Sequence, residues 1–269
     1  MYPVALTIAG SDPSGGAGIQ ADLKTFHQLG VYGASAITLI TVQNTLRVSR
    51  VSILDPVLVA EQIRAVLEDI PPGAAKTGAL GSAGVIEAVA AVLAGQRFPL
   101  VVDPVMISKH GAPLMDDNAR ETLCSRLLPL ATLVTPNLPE AAVLAGIPVN
   151  SLPLMREAAL RISQFGPRAV LVKGGHLEND GPHENEAVDL LYADGVFTEL
   201  RAPRIATRHT HGTGCAYSAA ITALLAGGAP MLTAVRGGKA FISEAIRTAP
   251  GLGGGSGPVN HHAKIPDSL

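Results

Sequence analysis

ALTIAGSDPSGGAGIQADLKTF, residues 5–26, decides the fold. An apolar run at 4–9 reads as a strand, and a loop holding Gly10, Gly15, Gly16 and Gly18 follows it. Helical periodicity then takes over at 19–29. Strand, glycine loop and helix make the repeating unit of a parallel sheet covered by its own crossover helices. The alternation continues outward. Strands are predicted at 34–42, 48–54, 74–77, 100–103, 133–135 and 169–173. Helices are predicted at 56–69, 83–94, 118–128, 138–145, 154–165, 215–226 and 232–248. Residues 188–192 and 196–200, joined by Ala193, Asp194 and Gly195, read as a hairpin. The pattern predicts an α/β three-layer sandwich over 1–269. It has a mainly parallel central sheet, helices on both faces and an antiparallel hairpin at one edge. Two glycine- or proline-containing stretches, 178–186 and 251–257, are expected to be mobile.

Composition suits that architecture. Of 269 residues, 47% are apolar and 16% charged, while aromatics make up 3% with no Trp. The core must be built from Val, Leu, Ile and Ala, as in a parallel sheet buried on both faces. A net charge of −2, with no basic run, argues against a nucleic-acid partner. The two cysteines, Cys124 and Cys215, cannot form a disulfide framework and fit a reducing compartment. No basic leader precedes the first apolar run, and no stretch reaches membrane-spanning length without Gly, Pro or charge. A cytoplasmic protein with no membrane contact is expected.

In open α/β sheets ligands bind where strands end and helices begin. Residues 12–18, Gln43, Asp103, Asn137 and Lys173 fall at such ends. His211-Gly212-Thr213-Gly214-Cys215 leads directly into a helical run. Its uncovered amides and positive dipole end would cradle an anion, although an ordinary glycine-rich helix entry has the same sequence. Cys215 sits in the first turn, where the dipole favours a thiolate. It could act as a base or a donor, or fill space. Cys124 is assigned to packing.

The 10–18 loop meets neither GxGxxG nor the Walker lysine pattern, and its glycines could let backbone approach a flat ligand. Asp22, read in the first helical turn, would stabilise that terminus. Asn137 and Glu140 spell a capping box, while Glu140 could also help hold hydrated Mg²⁺. Asp103 closes a buried strand and precedes Pro104, a place that suits a turn role and, slightly better, a role near metal or phosphate, and Lys173 could face a nucleotide. His209 and His211 have no partner at metal-ligand spacing and read as loop residues. No serine-hydrolase elbow, HExxH or paired CxxC occurs. Phosphoryl transfer, which needs positioned phosphates, a cation and one base, fits best.

Together with ITVQNT, VVDPVM, LVTPNLPEAAVLAG, LVKGGH, HGTGCAYSAAITALLA and GPVNHH, the opening stretch resembles the hydroxymethylpyrimidine/phosphomethylpyrimidine kinases, in order along nearly the whole chain. The resemblance implies a single ribokinase-like kinase domain that uses ATP and Mg²⁺. Its product would be a pyrimidine monophosphate and then the diphosphate, in thiamine biosynthesis. It implies Gln43 on the pyrimidine edge, with Gly10, Ala17, Gly18, Val105 and, more weakly, Asp22 around the ring. An amide offers the donor and acceptor that an aminopyrimidine needs. ATP would meet Lys173, Thr213, Gly214 and Asn137, with Mg²⁺ near Glu140 and Asp103. Catalysis would fall to Gly212, Gly214 and Cys215. Related sugar kinases carry an aspartate where Cys215 stands, which argues against a sugar and leaves the base open. Ala79 replaces a frequent methionine and widens the pocket. A homodimer is implied as well. Pyridoxal, a flat nitrogen ring with a hydroxymethyl arm, is the rival substrate. A catalytically silent nucleotide or pyrimidine sensor is the rival class.

Overall fold

A computed structural model describes residues 2–107, 111, 114–175, 177 and 185–266. Among the described residues nine strands form one sheet: β1 (Val4–Ser11), β2 (Tyr32–Gln43), β3 (Val48–Ile53), β4 (Ala74–Thr77), β5 (Leu100–Val102), β6 (Leu133–Val134), β7 (Ala169–Val172), β8 (Glu186–Ala193) and β9 (Val196–Pro203). Their order is β3-β2-β1-β4-β5-β6-β7-β8-β9. The central run from β2 to β7 is parallel, while β3 and the β8–β9 hairpin are antiparallel. Both edges are therefore antiparallel, where the sequence pattern indicated only one. β2 and β3 are joined by a short turn at 44–47, which only an antiparallel pair allows.

Eight α-helices among the described residues flank the sheet: α1 (Gly18–Gln28), α2 (Pro56–Asp69), α3 (Ala83–Leu93), α4 (Asp117–Thr122), α5 (Leu138–Ala145), α6 (Leu152–Ser163), α7 (Thr213–Ala226) and α8 (Met231–Arg247). One face packs against α2 to α6 through Ile63, Val89, Leu144 and Met155. The other packs against α1, α7 and α8 through Phe26, Ile221, Val235 and Phe241. β7 is buried along its whole length, as a sheet covered on both sides demands. Each buried Val or Leu contributes about 1.5–3 kcal/mol. The helix predicted at 118–128 ends as α at Thr122 and widens into a π turn at Leu123–Leu127. Pro129 then tightens the chain into a 3-10 turn at Leu128–Leu130.

The 251–257 segment is no loose tail. Gly255 N–H donates to Thr45 Oγ1 at 3.3 Å, Ser256 N–H to Thr45 O at 2.9 Å, and His211 N–H to Gly257 O at 3.0 Å. The glycines let this strap lie directly on the β2–β3 turn. Of the second stretch expected to be mobile, 178–184 lies outside the described residues.

Candidate active site

The carboxyl ends of β1, β4, β5, β6 and β7 converge on the start of α7. Asp103, one residue past β5, accepts from Lys173 Nζ at 2.9 Å and Thr135 Oγ1 at 3.1 Å on one oxygen, and from Ser218 Oγ at 3.2 Å on the other. Burial alone would raise the Asp103 carboxyl, but Lys173 and Lys76 outweigh it and hold the group below its ordinary range. Lys173 shows the mirror image: burial opposes its charge, while Asp103 and Glu140 hold it protonated.

Gly214 stands over this pair. A Cβ there would lie 3.3 Å from Lys173 Nζ and 3.7 Å from Asp103 Oδ2. Gly214 and Cys215 belong to the first turn of α7, whose amides have no intrahelical acceptor. Gly212, the N-cap, has φ +76°, and no side chain caps the helix. Thr213 Oγ1 turns back to Thr210 O at 2.7 Å. The helix start is thus left open to an anion beside a lysine.

Asn137 and Glu140 form the predicted capping box, with Asn137 N–H on Glu140 Oε2 at 2.8 Å and Glu140 N–H on Asn137 Oδ1 at 2.9 Å. Cap and site coincide. Burial pushes the Glu140 carboxyl up to about 7, Lys173 pulls it back, and Asp103 adds to the rise. Among the described residues no group of three or more His, Cys, Asp or Glu side chains could cage a metal ion. Mg²⁺ does not require one: it keeps waters and takes one or two carboxylates with substrate phosphates. A buried carboxyl poised near neutrality fits that use.

The loop after β1 folds around Asp12. Its carboxylate accepts from Ser14 N and Oγ, Gly16 N, Ala17 N and His211 Nε2, at 2.7–3.2 Å. Burial works against this charge. The bonds from His211, Ser14 and Gln43 overcome it and hold Asp12 well below the usual carboxylate range. Gln43 at the end of β2, the β1 loop and the residue preceding Gly212 are therefore joined through one carboxylate. The two loops also touch: a Cβ on Gly212 would come 1.7 Å from Gly16 O. The Asp12–His211 pair escaped the sequence because its members are 199 residues apart. His211, read as a loop residue, is buried at 4% exposure and joins the two loops.

Two further expectations are corrected. Asp22 lies a full turn inside α1, with both carboxylate oxygens committed to Lys76 Nζ (2.7 Å) and Thr7 Oγ1 (2.6 Å). Asp22 and Lys76 are fully buried, so Asp22 ties α1 to β4 beneath the cleft instead of lining it. Burial would neutralise the Lys76 amine, but Asp22, Cys215 and Asp103 keep it above its ordinary range. A lysine in the middle of the AAKT strand is a legible anomaly, and it marks this buried cluster.

Cys215 holds no dipole-stabilised thiolate. Although its side chain keeps some exposure, burial, with Asp22 and Asp103, drives the thiol up to about 11 against the pull of Lys76. It is a thiol at neutral pH. Gly10 lies near the end of β1, Ala17 and Gly18 where the following loop enters α1, and Val105 two residues past Asp103, with Gly10 buried and the others half-buried. Gly18, at φ +57°, leaves no room for a Cβ, which would lie 2.2 Å from Gly10 O.

Residues 12–260 match the family model described as Phosphomethylpyrimidine kinase. The hydroxymethylpyrimidine/phosphomethylpyrimidine kinase of Streptomyces coelicolor is 48% identical, over 96% of this chain and 94% of that protein. The thiamine biosynthesis bifunctional protein ThiED of Geobacter sulfurreducens is 49% identical over 95% of this chain, which spans only 51% of that longer relative. Among solved structures, the pyridoxal kinase of Staphylococcus aureus in complex with AMP-PCP and pyridoxal superposes with TM-score 0.88. It is 37% identical and covers 98% of this chain, with 95% of its own covered. That likeness extends the ribokinase-like expectation from sequence to fold.

Proposed function

The chain belongs to the phosphomethylpyrimidine kinase family, and from that premise we propose that it phosphorylates 4-amino-5-hydroxymethyl-2-methylpyrimidine with ATP, first to the monophosphate and then to the diphosphate, as a step of thiamine biosynthesis. The observation that carries this reading is the meeting of two loops. The open start of α7 lies on Lys173 and Asp103, and the Asp12–His211 bond holds it against the loop that faces Gln43.

Gln43 would pair with the aminopyrimidine edge, with Gly10, Ala17, Gly18 and Val105 around the ring. Lys173, Asn137, Thr213 and the Gly214 amide would hold the nucleotide phosphates. Glu140 and Asp103 would anchor hydrated Mg²⁺, which supplies charge neutralisation to the phosphates when bound. Gly212 lets the cradle approach the substrate loop, and Gly214 leaves its amide bare toward the phosphoryl group in flight. Cys215, protonated at neutral pH, serves as a hydrogen-bond donor at that point.

Mass analysis of products from the pyrimidine plus MgATP tests the reading, because it reports substrate, reaction and number of transfers together. Absence of any phosphorylated pyrimidine would refute it. Mg²⁺-dependent ATP consumption only in the presence of the pyrimidine would exclude the silent-sensor alternative, and no consumption with it would favour that alternative. Pyridoxal is a second reading, favoured by the 37% identity to the Staphylococcus aureus pyridoxal kinase. Side-by-side specificity constants decide between the two rings. A homodimer is proposed from the exposed apolar row Ile40, Val42, Val57 and Leu58. A cytoplasmic location is proposed from two free cysteines. No helix among the described residues is long and apolar enough to cross a membrane.

A further inference from the structure

Lys173 leaves the sheet between two unlike partners. Its own N–H donates to Pro136 O at 2.8 Å, continuing the parallel ladder. The next amide, Gly174 N–H, donates instead to a side chain, Asp189 Oδ1 of β8, at 2.9 Å. The second oxygen of Asp189 accepts from Lys239 Nζ, in the middle of α8, at 2.7 Å. Asp189 is 2% exposed and Lys239 8%. Tyr217 of α7 is buried beside the same carboxylate, and its hydroxyl makes no hydrogen bond of ordinary geometry there.

We infer that the buried Asp189–Lys239 pair positions Lys173 by holding the Gly174 amide. Asp189 interrupts an otherwise apolar buried run, Val188 to Leu191, and apolar residues would pack there without the desolvation cost of an ion pair. The carboxylate continues the β7–β8 ladder just where β7 stops being regular, and Lys239 Nζ pairs with its second oxygen. Gly174 is already pressed onto β8, since a Cβ would lie 2.1 Å from Val188 O and 2.9 Å from Met155 Cε. Backbone contacts thus clamp Lys173 on both sides. The clamp fixes the backbone that places the Lys173 ammonium on Asp103, beside Gly214. A misplacement of about 1 Å at such a group can cost a hundredfold in rate.

This inference rests on the kinase reading. Two double variants of the full chain test it, with turnover of the pyrimidine and MgATP measured beside thermal unfolding. Asp189→Asn with Lys239→Met removes both charges yet keeps an acceptor for Gly174; its kcat is expected within about threefold of wild type. Asp189→Leu with Lys239→Met removes the acceptor as well. Its kcat is expected to fall at least about tenfold, with the KM for the pyrimidine nearly unchanged. Equal kcat in the two folded doubles would reduce the pair to a structural tie. If the Leu form does not fold, Asp189→Val with Lys239→Met takes its place. Acetylation of Lys173, read by peptide mass spectrometry, should rise in the acceptor-free double alone, and unchanged labelling overturns the inference. An inactive wild type would instead remove the kinase reading, and the labelling result would still judge the clamp.

Discussion

Cys215 is the residue where local helix physics and surroundings disagree. A first-turn cysteine gains from the dipole, worth about 0.3–1 kcal/mol at exposed sites. Here burial and two carboxylates act against the thiolate and lift the thiol to about 11. Cys215→Ala should therefore cost one donor, about tenfold in kcat, with the KM for ATP unchanged. Cys215→Ser should recover most of it. An unchanged rate in the Ala variant would assign the thiol to packing.

Glu140 gives the matching acid test. Its folded carboxyl titrates near 7 against an ordinary 4.5. It therefore stabilises the fold only at low pH, and that contribution is lost as pH rises through 7. Glu140→Gln preserves the capping box, so at pH 8 it should raise stability by on the order of 2 kcal/mol in urea melts. It should also abolish the strengthening of MgATP binding expected between pH 6 and 8. A Gln variant that melts like wild type, or keeps that pH dependence, contradicts the assignment. The sequence disclosed Glu140 as a cap and as a candidate ligand. It could not disclose the pKa, which depends on Lys173 and Asp103 brought in from other strands.

At the scale of elements, β4 and α1 are joined by a buried ion pair. Lys76 and Asp22 are both inaccessible, so removing one partner leaves an orphan ion. Lys76→Met alone should lose about 3–5 kcal/mol of unfolding free energy, and adding Asp22→Asn should recover most of it. Additive losses in the double variant would show that the two groups act separately. The loop–helix junction is constrained just as tightly. Gly212→Ala must place a methyl on Gly16 O at a left-handed backbone position. It should weaken both ATP and pyrimidine binding, while circular dichroism stays native because α7 is anchored further along by Ala216, Ala220 and Ile221. Retained KM values for both ligands would mean that the loops do not share one cleft. Strand–loop–helix units were legible because periodicity is local. The glycine-rich strap at 251–257 was not, since the same glycines that suggest looseness also permit close packing on Thr45.

For the whole molecule, alternation in the sequence sufficed for a parallel sheet covered on both faces. It located the strand at 48–54 but not its antiparallel orientation at the second edge, because strand periodicity alone carries no direction. That edge now bears on assembly. Ile40 and Val42 share one face of β2 by the two-residue strand period, and they are 47% and 55% exposed. α2 packs on β2 through Gln62, which brackets Ile37 N–H and O. At its start Val57 is 63% and Leu58 47% exposed. Single exposed apolar residues are normal; these four, on two adjoining elements, are proposed to form one contact surface. A second copy could cover it isologously, as two-fold dimers do. Light scattering should then give twice the 27.6 kDa of one chain, and Val42→Lys with Val57→Glu should halve that mass while leaving turnover measurable. Wild-type protein that stays at single-chain mass at every concentration would leave the row without a partner of its own kind.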